Sequence, residues 1–335
     1  MNRFGWRATG GLLVLPLLLL VWSISSALSA GPPKVVARPA GDVTHVTPPR
    51  PGSSHPAGPT RSGYLPPPDP IRPQTQPALP GEGSWQTQVS VRGQTAIRAA
   101  FLRPDGQFTG NRVGVAWLNQ NLVTMVLHPG DTTPGGSGWP ESTQVPGSQR
   151  NRLLATFNSG FLMPVARGGY WQGGATAVPL VRGAASMVFS RDGHLDVVRW
   201  NRATPGRDVA AVRQNLSLLV DHGRITPEVN NASWGATLGG GTYVWRSGVG
   251  VGKDGALVFA VGPSLSARTL ANVLRDAGAV RAMELDINPE WTNFITYTHP
   301  GNGVAVPHML TKDEQPNPYR YLQQSSRDFV AVLAR

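Results

Sequence analysis

The chain has 335 residues, a formal net charge of +11 and no cysteine. Its length allows one large domain or two small ones, and the missing cysteine excludes disulfides, thiolate nucleophiles, a lipid-modified cysteine anchor and the usual zinc sites. The positive balance favours anionic neighbours such as an envelope polymer or a membrane surface, whereas nucleic acid is disfavoured because the arginines are dispersed and no helix-turn-helix, RNA-recognition or zinc pattern occurs.

Residues 1–30 read as an export segment. Arg3 and Arg7 form a positive start, 11–24 is an almost uninterrupted apolar run, and small residues follow at 25–30. Ser25-Ser26-Ala27 offers a cleavage site, yet the apolar run is close to the length of an uncleaved anchor. The expectation is an extracytoplasmic protein, either secreted or held to the membrane by this segment. Residues 31–80 hold about half of the 31 prolines and hardly any large apolar side chains. Such a composition buries too little surface to offset its ordering entropy, so it predicts a disordered, extended tether. The folded domain is expected over 81–335.

That domain opens with β-patterns. Residues 85–97 alternate, 99–102 continue, and Arg103-Pro104-Asp105-Gly106 signals a turn. The apolar runs 113–118 and 122–127, separated by Asn119-Gln120-Asn121, predict a hairpin. Residues 153–157 read as a buried strand leading into Asn158-Ser159-Gly160-Phe161. In 168–174, glycines surround Tyr170 and Trp171. That stretch reads equally as a sugar-stacking loop or as a tight hairpin with core aromatics. Further strands are expected at 178–181, 185–190, 195–199, 213–221, 234–237, 243–251 and 257–261, with His222 at the tip of a turn. Arg246, in a glycine-flanked strand, presents a planar fork for phosphate or carboxylate; the plainer reading is an edge-strand arginine.

The most distinctive stretch follows. Ser264 or Ser266 caps a helix over 267–277, and Gly278 occupies the left-handed position that ends it. A short apolar strand, 279–285, comes next. Period-2 geometry puts Glu284 and Asp286 on one face, roughly 6–7 Å apart. Pro289 ends the strand, and Glu290 and Trp291 lie in the loop beyond. Three carboxylates, Glu284, Asp286 and Glu290, gathered at a buried strand end are costly without a purpose; the plainer reading is an exposed strand end with solvated acids. Asp286, Asn288 and Glu290 also alternate as oxygen donors of the kind that suit Ca²⁺ or Mg²⁺. His299 and His308 fall in a later loop, and no nucleophile elbow is present, which argues against a serine hydrolase. Residues 329–333 read as a closing strand. The whole predicts an α+β fold: one β-rich domain with a mixed or largely antiparallel sheet and few helices.

The order Phe157-Asn158-Ser159-Gly160-Phe161, Arg246-Ser247-Gly248-Val249-Gly250, Lys253-Asp254-Gly255, a Leu-bearing helix and then Leu285-Asp286 resembles the phosphodiester glycosidase family over roughly 81–297. The chain departs from the family pattern at Ser159 and after Asp286, where Ile287-Asn288-Pro289-Glu290-Trp291 replaces a glycine- and serine-rich loop. The resemblance implies hydrolysis of a glycosyl-1-phosphodiester in a phosphate-containing glycan. It implies Asp286 as nucleophile or base, with Glu284 or Glu290 as its partner, and Arg246 as phosphate clamp. Asn158, Gly160, Ser247 and Asn288 would orient the substrate, with Tyr170 and Trp171 as stacking surfaces, and no cofactor is required beyond an optional divalent cation. A non-catalytic envelope-glycan-binding protein on the same fold is the alternative.

Overall fold

The computed structural model describes residues 64–230, 232–235, 241–301 and 304–335. The expected export segment, the tether up to residue 63 and part of the 234–237 strand lie outside the described residues. Among the described residues no helix is long and apolar enough to cross a membrane.

Three antiparallel sheets make up the domain. The largest has eight strands in the order Gln86–Val91, Gln94–Leu102, Val113–Leu118, Leu257–Leu265, Val244–Gly252, Ala279–Glu284, Leu218–Asp221 and Arg224–Ile225. A five-stranded sheet runs Ala175–Val178, Tyr170–Gln172, Val209–Gln214, Ala185–Ser190, Leu195–Arg199. The third runs Val306–Met309, Phe294–Thr298, Leu153–Asn158, Phe329–Ala334, Val123–His128. One apolar core draws on all three, with Ile97, Phe259 and Met283 from the first, Met187 and Phe189 from the second, and Met125, Phe157 and Val330 from the third. At its centre Phe157, Phe259 and Phe294 meet at centroid distances of 5.1, 5.2 and 6.0 Å. Burying each ring contributes about 2–3 kcal/mol.

The one long helix among the described residues, Ala267–Asp276, forms for the reasons its sequence states. Ser266 Oγ accepts the Thr269 N–H at its start, and Gly278 takes φ +102° after its end. Its apolar face, including Leu270, Ala271 and Leu274, lies on the large sheet. A Cβ on Gly248 would come within 2.9 Å of the Leu274 side chain, and one on Gly250 within 2.7 Å of Ala279. The glycines beside Arg246 therefore make room for protein, Gly248 for the helix and Gly250 for the neighbouring strand.

Several expectations are corrected here. The pair 113–118 and 122–127 is no hairpin: its first strand joins the large sheet and its second the third sheet. Gln120 between them is buried and bonds to the backbone of Leu195 and Gly255, so the supposed turn tip is a seam between sheets. The run 85–97 is two strands joined at Arg92-Gly93, both at positive φ. The strand expected over 213–221 is divided between two sheets by a bend where Leu216 adopts φ 54°. Packing also begins before residue 81. Ile71 is buried, its N–H bonds to the Gly83 carbonyl, and Thr75 Oγ1 donates to the Arg103 carbonyl.

Candidate active site

Asp286 lies just past the end of strand Ala279–Glu284, where the backbone still pairs with Ser247. The Ser247 N–H donates to the Asp286 carbonyl at 2.9 Å, and the Leu285 N–H donates to the Ser247 carbonyl at 2.8 Å. Ser247 Oγ accepts the Asp286 N–H and donates to the Asp286 carbonyl, while Asn158 Nδ2 donates to that hydroxyl at 2.9 Å. Asn215, fully buried, adds a second brace: its Nδ2 donates to the Glu284 and Leu285 carbonyls, each at 3.0 Å. This framework fixes the aspartate's backbone before its side chain makes any contact.

The carboxylate itself is 4% exposed as a residue and lines an open cleft of about 480 Å³. Its Oδ1 accepts the Ile287 and Asn288 N–H groups at 2.7 and 2.9 Å, and its Oδ2 accepts Arg327 Nη2 at 2.5 Å. Arg327 Nη2 also donates to the Gly160 carbonyl at 3.2 Å, and the Arg327 guanidinium lies 5.0 Å from the Trp291 ring centre. Burial pushes the Asp286 carboxyl above the ordinary aspartate range, and Arg327 with the two N–H donors pulls against that shift. Phe161, Leu162 and Val165 supply an apolar wall to the cleft, and Arg167 and Asn288 complete its polar part.

Glu284 and Arg246 are not in this cleft. Their side chains are both fully buried and meet at 2.5 Å. Arg246 Nε donates to the Leu265 carbonyl, Nη1 to that of Trp234, and Nη2 to those of Gly235 and Thr242. With its fork spent on carbonyls and one carboxylate, Arg246 is an internal strut and not the expected phosphate clamp. Glu284 likewise is its counter-ion and not a partner of Asp286. Complete burial pushes the Glu284 carboxyl up, to about 8, against the attraction of Arg246. The period-2 expectation fails because Asp286 has already left the strand, so the two acids face different surroundings.

The other candidates separate in the same way. Ser247 and Asn158 are buried and act on the Asp286 backbone. Gly160 orients through its carbonyl, which holds Arg327. Glu290 is exposed and does not line the cleft; its N–H is capped by Asn288 Oδ1 at 2.9 Å. Tyr170 is fully buried, its hydroxyl donating to Gln172 Oε1, and Trp171 packs beside Trp200 and Val212. The glycines at 168–169 allow close packing, since a Cβ on Gly169 would fall 2.3 Å from the Pro179 carbonyl oxygen. The hairpin reading of that stretch is the correct one. As for a divalent cation, the Asp286 oxygens serve local N–H groups and Arg327, Asn288 Oδ1 serves the Glu290 N–H, and Glu290 is exposed outside the cleft. Among the described residues no cluster of three or more His, Asp or Glu side chains could hold a metal ion. Arg327, Arg167 and Asn215 are the site residues that sequence reasoning missed. The adjacent Arg327-Asp328, charged and set directly before a wholly apolar strand, is the one signal that marked the first of them.

Comparison with known proteins bears on what this site does. The phosphodiester glycosidase family model matches residues 152–286, a segment that ends on the buried aspartate. The chain carries a phosphodiester glycosidase domain. No curated protein sequence matches it. Among solved structures, the phosphodiester glycosidase domain is similar to the catalytic domain of zebrafish N-acetylglucosamine-1-phosphodiester alpha-N-acetylglucosaminidase, auto-inhibited by its pro-peptide. That likeness has 14% identity and a TM-score of 0.44, over 75% of this chain and 88% of the other. It is also similar to a hypothetical protein from Synechocystis, at 11% identity and a TM-score of 0.41, over 73% of this chain and 63% of the other. Arg327 lies beyond the matched segment and reaches the site from the C-terminal strand region.

Proposed function

We propose that the chain is an exported hydrolase of glycosyl phosphodiesters, with Asp286 as the catalytic carboxylate and Arg327 as the cation that meets the phosphate. The observation that carries this reading is a buried aspartate lining a cleft while paired to an arginine that lies across the same cleft. Cleavage between the anomeric carbon and a phosphate oxygen builds positive charge on the sugar and leaves negative charge on the phosphate. A carboxylate serves the first centre, as nucleophile or as base toward water. A guanidinium serves the second, with bidentate geometry suited to phosphate. The phosphate monoester that departs is a weak base, so little general-acid help is needed and a second carboxylate in the cleft is dispensable. Exchange of Arg327 from Asp286 Oδ2 to the incoming phosphate would bind the leaving group and free that oxygen in one movement. The apolar run 11–24 supports export, and the net charge of +11 supports anionic envelope polymers as the substrate class.

A non-catalytic glycan-binding protein is the second reading. It is favoured by one observation: both Asp286 oxygens already hold hydrogen bonds, and no other carboxylate joins it in the cleft. The two readings part in a release assay with the full chain on UDP-N-acetylglucosamine and synthetic sugar-1-phosphodiesters, with and without EDTA. Hydrolysis should fall by about 10³-fold or more in Asp286→Asn. Arg327→Gln should raise KM for a phosphodiester more than for a neutral glycoside. Sugar release that survives Asp286→Asn would refute the catalytic assignment, and glycan binding with no release by either protein would establish the binder. Loss of activity in EDTA would restore the divalent-cation expectation.

A further inference from the structure

A second depression, of about 360 Å³, adjoins the cleft and shares Arg167, Leu216 and Ser233 with it. Its remaining walls include Arg182, Glu228 and Trp234. Three features mark it as a place for an anion. Its lining holds two arginines and one glutamate, and neither Arg167 nor Arg182 takes part in an ion pair among the described residues. Trp234 is 2% exposed, and its indole Nε1–H has no acceptor among the described residues, a state that buried donors seldom keep. Arg167 follows the short helix Met163–Ala166 in a left-handed conformation, φ 50° and ψ 35°, unusual for a side chain of its size. That conformation stations an exposed guanidinium on the boundary between the two hollows.

We infer that this second depression binds the next phosphodiester of a polymeric substrate, Arg167 lying between the scissile phosphate and its neighbour and Arg182 receiving the neighbour. The inference rests on the glycosidase reading and extends it: the preferred substrate is a chain with a phosphodiester in each repeat, not an isolated sugar diester. Chemistry in the cleft is unchanged. The second site adds affinity through charge-assisted hydrogen bonds to a group that does not react.

Two synthetic substrates separate the possibilities in the full chain. Each carries one scissile glycosyl phosphodiester; the short one ends in a methyl ester and the long one continues through a second phosphodiester. The long substrate should show a KM about tenfold lower, at similar kcat. Arg182→Gln should remove about fivefold of that advantage, Arg182→Lys should keep most of it, and the advantage should shrink with added salt. In parallel, a trimer of glycerol phosphate joined by diesters should bind Asp286→Asn protein, and bind the Asp286→Asn/Arg182→Gln double variant more weakly. Equal KM values for long and short substrates in the parent protein, or a long-to-short ratio that Arg182→Gln leaves unmoved, would overturn the inference while the glycosidase reading stands. Arg182-dependent trimer binding with no release from either substrate would support the anion site and count against hydrolysis.

Discussion

Replacing Arg246 with methionine separates its role as an internal strut from a role in substrate binding. The change removes a guanidinium that is fully buried and leaves the Glu284 carboxyl without its one side-chain partner among the described residues. Four carbonyls, those of Leu265, Trp234, Gly235 and Thr242, lose their donors as well. Breaking such a buried pair from one side costs about 3–5 kcal/mol, because the remaining carboxyl, charged or forced to take up a proton, is left buried without its donor. That is a large share of the 5–15 kcal/mol by which domains are ordinarily stable. Removing both charges as Arg246→Met/Glu284→Leu should return much of the loss, since a shape-filling apolar pair no longer strands a carboxylate. Urea unfolding of the full chain, followed by the fluorescence of its 10 tryptophans, reads this directly. A midpoint in Arg246→Met within about 1 kcal/mol of the parent, together with a raised KM for phosphodiesters, would refute the strut assignment and return Arg246 to the substrate.

Two further outcomes test the packing around the site. Glu314 accepts the Phe294 and Thr311 N–H groups, each at 2.7 Å, and burial raises its carboxyl from 4.5 to about 7. The folded state therefore holds this proton more tightly than the unfolded one: its contribution is complete below pH 4.5 and is lost as pH rises through 7, to the extent of about 3 kcal/mol. Glu314→Gln sets an amide N–H₂ against one of those donors and should destabilise by about 1–3 kcal/mol at pH 5. The gap to the parent should narrow at pH 8, and a gap independent of pH in urea titrations would show that Glu314 does not retain its proton. Gly169→Ala should lower the thermal midpoint markedly, since the new Cβ would lie 2.3 Å from a backbone oxygen. An unchanged midpoint would mean that the hairpin at 168–174 is loose enough to bind ligand after all.

How legible all this was in the sequence depends on range. The helix Ala267–Asp276 with its Ser266 cap and Gly278 stop, and the strand that follows, were legible because each is set by neighbours within a few residues. Sheet membership was not: the strands on either side of Asn119-Gln120-Asn121 look like a hairpin locally, and only the buried bonds of Gln120 reveal a crossing between sheets. The glycines near Arg246 and Tyr170 looked like openings for a ligand, although both sets make room for protein. The cleft's arginines were hidden for a related reason. Arg327 reaches Asp286 from 41 residues away, and Arg167 is placed by a turn whose geometry no periodicity announces.

The charged pair before the last strand has a consequence for when this protein comes to life. Arg327 grips Asp286 in the cleft, while its neighbour Asp328 grips the buried Arg213 at 2.6 Å, and strand Phe329–Ala334 then slots between two strands laid down far earlier. Cleft and sheet are thus buttoned shut by the same final residues. Without that short stretch the hollow keeps its other walls and lacks the arginine that holds Asp286. Until that stretch is in place the site is unfinished.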